Sequence, residues 1–445
     1  MLKHKIPVKI IWLVIVLLSI MPVWGQIPRT GPDCLPFAPP VSYGVGVYPS
    51  SVFCADLDGD SDLDLAVTNY WSNKVSILKN NGDGTFQTAV NYMVGIGPQS
   101  VFCADLDGDS YLDLAVTNFL SDNVSILKNN GNGTFQGAIN YEAGHSPGSV
   151  FCADLDGDGD LDLAVTDFTI YNIAILKNNG DGTFRSPANY AAEDGPHSIF
   201  CADLDGDGDL DLAVANEGVA SVSTFENNGD GTFQSAVNYG IEDGPWSIFC
   251  ADLDKDSDQD LVVANYYSDN ISILKNNGDG IFQSAVNYTT GDGPYSVFCA
   301  DLNGDGNLDL AVANYYSNCV SILAGNGDGT FQSGVNHEVG HYPSSVFCAD
   351  LEGDSDLDLA VTDYWSNNVS ILRNLSETHP ICGDVNNDGN TDIGDIVYLI
   401  NYLFKGGQPP DPFTDGDATC NGAVDVGDVV YLINYLFKTG PPPSC

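Results

Sequence analysis

Short apolar runs alternate with acidic, glycine-rich turns along most of this chain, and the alternation has a fixed period of 49 residues. The cysteines Cys54, Cys103, Cys152, Cys201, Cys250, Cys299 and Cys348 mark seven copies that follow one another without insertion or deletion. The first unit shows the plan. After Pro49 come four apolar runs of strand length, at 51–55, 63–69, 74–79 and 86–94. They are separated by an acidic loop at 56–64, by Tyr70-Trp71-Ser72-Asn73 and by Asn81-Gly82-Asp83-Gly84. Asn-Gly and Asp-Gly between apolar runs are hairpin signals. Four antiparallel strands per unit, repeated at this period, predict a propeller blade. The first two runs are apolar on both faces, as expected where a sheet is packed on each side.

The ends of the array predict how it closes. Phe37-Ala38-Pro39-Pro40-Val41-Ser42-Tyr43 aligns, one period earlier, with Phe86-Gln87-Thr88-Ala89-Val90-Asn91-Tyr92. The array therefore starts with a lone fourth strand. The last unit stops after its third, at Ile371-Leu372-Arg373. The N-terminal strand is expected to complete the last blade, closing the ring and covering an open sheet edge. The expected fold is mainly β, a seven-bladed β-propeller closed by an N-terminal strand.

Each acidic loop reads Asp-x-Asp-Gly-Asp-x-x-x-Asp. Carboxylates at its first, third, fifth and ninth positions, with a backbone carbonyl at the seventh, form a hard-oxygen set suited to Ca²⁺. The sets are Asp56, Asp58, Asp60 and Asp64; Asp105, Asp107, Asp109 and Asp113; Asp154, Asp156, Asp158 and Asp162; Asp203, Asp205, Asp207 and Asp211. The fifth, Asp252, Asp254, Asp256 and Asp260, has Lys255 where the others have glycine. The sixth is Asp301, Asn303, Asp305 and Asp309, and the seventh Asp350, Glu352, Asp354 and Asp358. Without a cation or protons, carboxylates held this close repel strongly. The expected role is structural, since the ligands leave no open position for catalysis.

The phrase Asp-Leu-Asp-Gly-Asp-x-Asp-Leu-Asp-Leu-Ala-Val resembles the FG-GAP/VCBS repeat family, the calcium-loop propeller also seen in the integrin alpha head. The resemblance covers residues 35 to about 375. It implies calcium binding and, commonly, adhesion or ligand display.

After Thr378 a different duplication begins. Val397-Tyr398-Leu399-Ile400-Asn401-Tyr402-Leu403-Phe404-Lys405 recurs 33 residues later as 430–438. Ile396, Leu399, Ile400, Leu403 and Phe404 are spaced for one face of a helix. Gly406-Gly407 and Gly440-Pro441 are stop signals. A twelve-residue EF-hand-like loop precedes each helix, with Asp rather than Glu at its end. The first loop offers Asp384, Asn386, Asp388, Asp392 and Asp395, and the second Asp417, Thr419, Asn421, Asp425 and Asp428. Thr419 and Asn421 bring less charge, so the second site is expected to be weaker. One calcium loop plus one helix, twice, resembles a type I dockerin over residues 382–445. The resemblance implies a cohesin-type partner. Ile393-Gly394 and Val426-Gly427 stand where many cellulosomal dockerins carry hydroxyl residues.

Composition narrows the partners. A net charge of -47, from 61 acidic and 14 basic residues, argues against nucleic acid and anionic membranes. Nine calcium ions would cancel roughly 18 of those charges. Lys3, Lys5 and Lys9, the apolar run 10–21 and Val23-Trp24-Gly25 read as a secretory signal over 1–25, so the mature protein is expected to be exported. A propeller at 35–375, a linker at 376–381 and the dockerin-like domain at 382–445 complete the organisation.

Twelve cysteines in an exported chain suggest disulfides. The repeat cysteines do not fit that role. Equivalent atoms on packed sheets sit roughly 10 Å apart, beyond the ~7 Å disulfide limit. They read instead as small buried apolar residues. Cys34 and Cys382 are candidates to clasp the ring, or Cys382 pairs with Cys420 or Cys445, while Cys319 is left unpaired.

Two places vary between repeats. The turn between second and third strands carries Trp71, Tyr267, Tyr316 and Trp365, and the residue after the opening proline is His197, Trp246 or Tyr295 in three repeats. Both are expected on the face opposite the acidic loops, where aromatic rings suit a sugar ring or a protein loop. The leading expectation is a secreted, non-catalytic calcium-binding propeller for glycan or protein recognition. The alternative is a component of extracellular polysaccharide degradation, a lyase or glycoside hydrolase. Histidines are few, and no nucleophile–base pair is visible.

Overall fold

The computed structural model describes residues 37–375, Val385, 393–405, Val424 and 426–438, with side chains given as far as Asn434. Residues 37–375 form 28 strands in seven four-stranded antiparallel sheets. In the first blade these are β2 (Pro49–Ala55), β3 (Asp64–Asn69), β4 (Lys74–Leu78) and β5 (Val90–Met93). The last blade has β26 (Pro343–Ala349), β27 (Asp358–Asp363) and β28 (Asn368–Leu372). Its fourth strand is β1 (Val41–Gly44), which pairs with β28 through Val41↔Ile371 to Gly44↔Asn368. The closure expected from the two ends of the array is thus present, with Phe37 bridged to Asn374 beyond it.

Apolar alternation builds the contacts between blades. Val52, Cys54, Leu65 and Val67 of the first blade pack against Ala349, Leu351, Ala360, Val369 and Ile371 of the last. An equivalent cluster lies between every other pair of neighbours. Leu65 and Val67 are fully buried, and burying each such side chain stabilises by about 1.5–3 kcal/mol. One repeat cysteine sits in each cluster. These cysteines and Cys319 are buried free thiols; the other four cysteines lie outside the described residues. Between the inner strands, Phe53, Phe102, Phe151, Phe200, Phe249, Phe298 and Phe347 touch in an unbroken circle, with neighbouring centroids 4.7–4.9 Å apart and ring planes inclined by 49–53°.

The fourth strand is shorter than its apolar run. Residues 86–94 were expected as one strand, but only Val90–Met93 is in ladder register. Ile77 faces Val90 and Asn80 faces Phe86, so three steps on β4 oppose four on its partner. The extra residue is a bulge. It swings Phe86 inward, where it is buried and meets Tyr43 edge-on at 5.3 Å. The same stretch tolerates Pro39, Pro40 and Pro187, as a bulged edge does.

The C-terminal duplication folds as expected into two 13-residue helices, α1 (Ile393–Lys405) and α2 (Val426–Lys438). Ile396 and Leu399 of α1 share a small core with Val429 and Leu432 of α2 and with Val385. No helix among the described residues is long and apolar enough to cross a membrane.

Closure by β1 makes a direct prediction. Removing residues 37–44 leaves the edge of β28 unpaired and strips Tyr43 and Phe37 from their clusters. The shortened protein should melt at lower temperature and self-associate through the open edge. A peptide of residues 37–44 should restore both properties. A monodisperse sample with unchanged melting would show that β1 is dispensable.

Candidate cation loops and an aromatic face

Each acidic loop is wound around its first carboxylate. Asp56 accepts the backbone N–H of Gly59 at 2.8 Å and of Ser61 at 3.0 Å, and Asp60 accepts that of Asp62 at 3.0 Å. Gly59 has φ +82°, a left-handed conformation that favours glycine. The ninth residue opens the second strand and is fully buried. Asp64 accepts from Leu57 N at 3.2 Å with one oxygen and from Asn80 N at 2.8 Å with the other. The same pair of bonds recurs at Asp113, Asp211, Asp260, Asp309 and Asp358. Burial raises these carboxyls, to about 6 at Asp64, Asp113, Asp162, Asp211, Asp260 and Asp309 and to about 7 at Asp358.

The carboxylates converge, though not always the same ones. In three loops the first, third and ninth residues offer oxygens within 4.8 Å of one another: Asp56, Asp58 and Asp64; Asp105, Asp107 and Asp113; Asp203, Asp205 and Asp211. In two loops the fifth residue joins instead of the ninth: Asp154, Asp156 and Asp158; Asp252, Asp254 and Asp256. The sixth and seventh loops form no such triad among the described residues. Asn303 turns its amide towards Asp309 at 3.5 Å, and Glu352 is paired with Arg373 at 2.9 Å.

Inside the loops, oxygens are left over. Oδ1 of Asp58, Asp107, Asp156, Asp252, Asp254 and Asp301 is buried without a hydrogen-bond partner. Buried polar atoms are normally satisfied. Convergent orphan carboxylate oxygens are the donor set a hard divalent cation needs, so these residues fit a calcium ion.

A basic residue that sequence reasoning passed over completes the arrangement. Lys79 meets Oδ2 of Asp58 at 2.7 Å and donates to the carbonyl of Asn132 in the next blade at 2.7 Å. Lys128 and Lys177 repeat both contacts, with Asp107 and Asp181 and with Asp156 and Asp230. Lys275 does the same with Asp254 and Asp328. Each lysine holds one oxygen of the third carboxylate and leaves the other facing its loop. The signal was present in the repeat. Arg373 accompanies Glu352 and Ala324 accompanies the uncharged Asn303, while blade four departs, with Glu226 accompanying Asp205.

On the aromatic face the two variable places behave differently. Trp71, Tyr267, Tyr316 and Trp365 are 66, 57, 56 and 57 % exposed and occupy equivalent positions in four consecutive blades. His197, Trp246 and Tyr295 are half-buried and pack on one another, with centroids 3.9 and 4.9 Å apart. His197 donates Nδ1–H to the carbonyl of Trp246 at 2.9 Å. Desolvation lowers its pKa to about 4, so the ring is neutral. These three side chains are framework, and the turn aromatics are the accessible surface.

Beneath that surface lie two tyrosines that sequence reasoning did not single out. Tyr48 and Tyr342 have φ +58°, at a position where four other blades place glycine. Tyr48 stacks on Tyr364 at 4.6 Å and on Trp365 at 5.4 Å, and it touches Trp71. Tyr342 meets Tyr315 and Trp365.

Of the ligands expected in the C-terminal loops, Asp384, Asn386, Asp388, Asp392, Asp417, Thr419, Asn421 and Asp425 lie outside the described residues. Asp395 and Asp428 begin the two helices, fully buried.

Comparison with known proteins agrees with this architecture. The model of the FG-GAP-like repeat matches residues 56–116, 105–165, 154–214, 203–263, 252–312 and 301–361. The model of the dockerin type I domain matches residues 382–438. No curated protein matches. Among solved structures, a BBS1N–ARL6DN complex aligns with TM-score 0.57 and 15% identity, over 77% of this chain and 98% of that one. The periplasmic gluconolactonase of Pseudomonas aeruginosa aligns with TM-score 0.54 and 17% identity, over 71% and 88%. Virginiamycin B lyase from Staphylococcus aureus aligns with TM-score 0.53 and 12% identity, over 76% and 99%. At such identities the likeness is one of fold alone. The repeat model covers most of the chain, which therefore belongs to the FG-GAP-like repeat family, as a seven-bladed β-propeller followed by a dockerin type I domain.

Proposed function

We propose that this protein is an exported, non-catalytic calcium-binding propeller that recognises carbohydrate through the aromatic face and is carried by a cohesin-type partner through its dockerin domain. The observation that carries the recognition reading is the backbone of Tyr48 and Tyr342. A tyrosine at positive φ costs of order 1 kcal/mol or more, and such strain concentrates at functional sites. Here it places flat rings under Trp365 and Trp71, which stand exposed beside them. Stacked aromatics with one open face suit the apolar face of a sugar ring. The strong overall negative charge favours a neutral glycan over a uronate polymer.

Two further supports concern the rest of the molecule. The orphan oxygens of the loops favour calcium, which dockerin domains also bind generally. Ile393 and Val426, with Val397 and Val430, are exposed at equivalent positions of α1 and α2. This duplicated apolar pair suits a docking surface, apolar where many cellulosomal dockerins use hydroxyls.

The recognition reading is tested by binding to a panel of neutral polysaccharides and a glycan array. Each stacked ring contributes about 0.5–1.5 kcal/mol, so the double variant Trp71→Ala/Trp365→Ala should lose roughly tenfold or more in affinity. Its melting should fall only slightly, because both side chains are mostly exposed and lose only their ring contacts with Tyr48 and Tyr342. A blank panel for the wild type, or a double variant that binds as well, would sink the carbohydrate reading. Release of soluble sugar from any polysaccharide would count against the non-catalytic assignment.

The calcium reading is tested by chelation across pH. An unfolded aspartate ionises near 4, whereas the ninth carboxyls ionise at about 6 or 7 in the fold. Without a cation, the stability they supply is complete below the unfolded value and is lost as pH rises through the folded one. A bound cation favours the ionised form and opposes that loss. Excess EGTA should therefore lower the melting temperature, and the gap to the calcium-loaded protein should widen as pH rises through this window. Coincident melting curves with and without EGTA would rule the reading out.

A further inference from the structure

Asp363 ends β27 on the aromatic face, directly before Tyr364 and Trp365. Five blades have asparagine at this position: Asn69, Asn118, Asn216, Asn265 and Asn314. The asparagine amide is a donor into a site lined by acceptors. Asn118 Nδ2 gives hydrogen bonds to Asn123 Oδ1 and Ser125 Oγ, both at 2.8 Å. Asn265 Nδ2 does the same with Asn270 Oδ1 and Ser272 Oγ, again at 2.8 Å. The serine then passes its own proton outward to the fourth strand, as Ser125 does to Asn140 at 2.7 Å and Ser272 to Asn287 at 2.9 Å.

Two blades break this relay, and they are the two that carry aspartate. Blade three has Ala174 in place of the serine, and its Asp167 accepts the backbone N–H of Ile170 instead. In the last blade the fourth strand comes from the N-terminal segment, and it offers Ser42 opposite Ser370 where other blades have asparagine. Ser370 turns round and donates to Asp363 Oδ2 at 2.6 Å. The ladder partner of Asp363 is Asn368. Its Oδ1, which in blades two and five receives the amide proton, is buried without a partner; Asp363 Oδ1 is also unpartnered, as is Oδ1 of all five asparagines. Asp363 itself is fully buried. An ionised carboxylate would leave Asn368 Oδ1 an orphan; one proton on Oδ2, the oxygen beside Ser370, supplies the donor that the asparagine amide gives in blades two and five.

We propose that Asp363 is held as a neutral carboxylic acid in the folded protein and acts as a proton-operated latch on the closure blade. Protonated, it fastens β27 to β28 beneath the Tyr364–Trp365 turn; ionised, it loosens that turn. Burial raises its pKa to about 7, opposed by hydrogen bonding from Ser370 and from the Gly340 N–H. The titratable side chains on the surrounding elements are Tyr364 on its own turn, His341 and Tyr342 in the opening loop, and Tyr43 on β1. None contributes a charge to this shift. The folded pKa exceeds the unfolded value near 4, so the latch stabilises fully below that value and is lost as pH rises through about 7. The latch does not depend on what the aromatic face binds.

Asp363→Asn installs the donor that five other blades use, so it should fold. At about pH 8 it should melt several degrees above the wild type, with the gap closing as pH falls towards about 5. The wild-type-minus-variant infrared difference spectrum should contain a protonated-carboxyl C=O band that disappears as pH passes neutrality. The competing arrangement has Asn368 reversed, its Nδ2 donating to an ionised Asp363. That arrangement predicts a variant less stable than wild type above neutrality and no protonated-carboxyl band, and either result overturns the proposal.

Discussion

One buried carboxylate per blade holds this propeller together. In the first blade it is Asp64, which ties the start of β3 to the acidic loop through Leu57 N and to the end of β4 through Asn80 N. The amide of Asn80 then reaches into the neighbouring blade and donates to the carbonyl of Leu351 at 2.7 Å. Five other blades make the same crossing at 2.7–2.9 Å. Loop, hairpin and blade interface thus meet at a single ionisable group. Leaving such a group buried is unfavourable unless it is bonded on every side. Two backbone amides do part of that, and the carboxylates at the third and fifth loop positions make the remaining charge harder to bear. The acidic loop therefore gathers negative charge beside the blade interface, where a cation would relieve it.

The repeat made the architecture legible. A strict 49-residue register sets blade number, strand order and the missing fourth strand, because every unit must bury the same faces against its neighbour. What stayed hidden depends on where equivalent residues meet across blades. Phe53 is an ordinary strand residue until seven copies close into a circle. Lys79 is an ordinary surface lysine until the next blade brings the carbonyl of Asn132 to it. The bulge before Val90 was missed because the apolar run continues through it; the pattern marks burial, and burial of Phe86 is what the bulge serves.

The candidate face was half legible for a related reason. Variation between otherwise identical units pointed to the rim of the ring that carries the turn aromatics. It did not separate His197, Trp246 and Tyr295, which fill space against one another, from Trp71 and Trp365, which face outward. Tyr48 and Tyr342 could have been found by asking which residues replace glycine at a left-handed position. A substitution that strains the backbone needs a compensating contact, and here the contact is the stack beneath the exposed tryptophans.

Several departures from the repeat gather at the closure. Tyr48, Tyr342, Ser42, Asp363 and the Glu352–Arg373 pair all lie in the last blade or at its seam with the first. That blade alone is assembled from both ends of the array, so the constraint of matching identical neighbours is weakest there. Its apolar cluster is as well filled as the others, with Leu359 and Val369 fully buried. The change is confined to polar positions and to the upper turns. Strain of about 1 kcal/mol at a tyrosine is small against an inter-blade cluster in which each buried side chain contributes about 1.5–3 kcal/mol. A ring whose core is repeated seven times can hold such strain locally without losing its shape. The seam that closes the fold is thereby a place where this chain can depart from its own repeat.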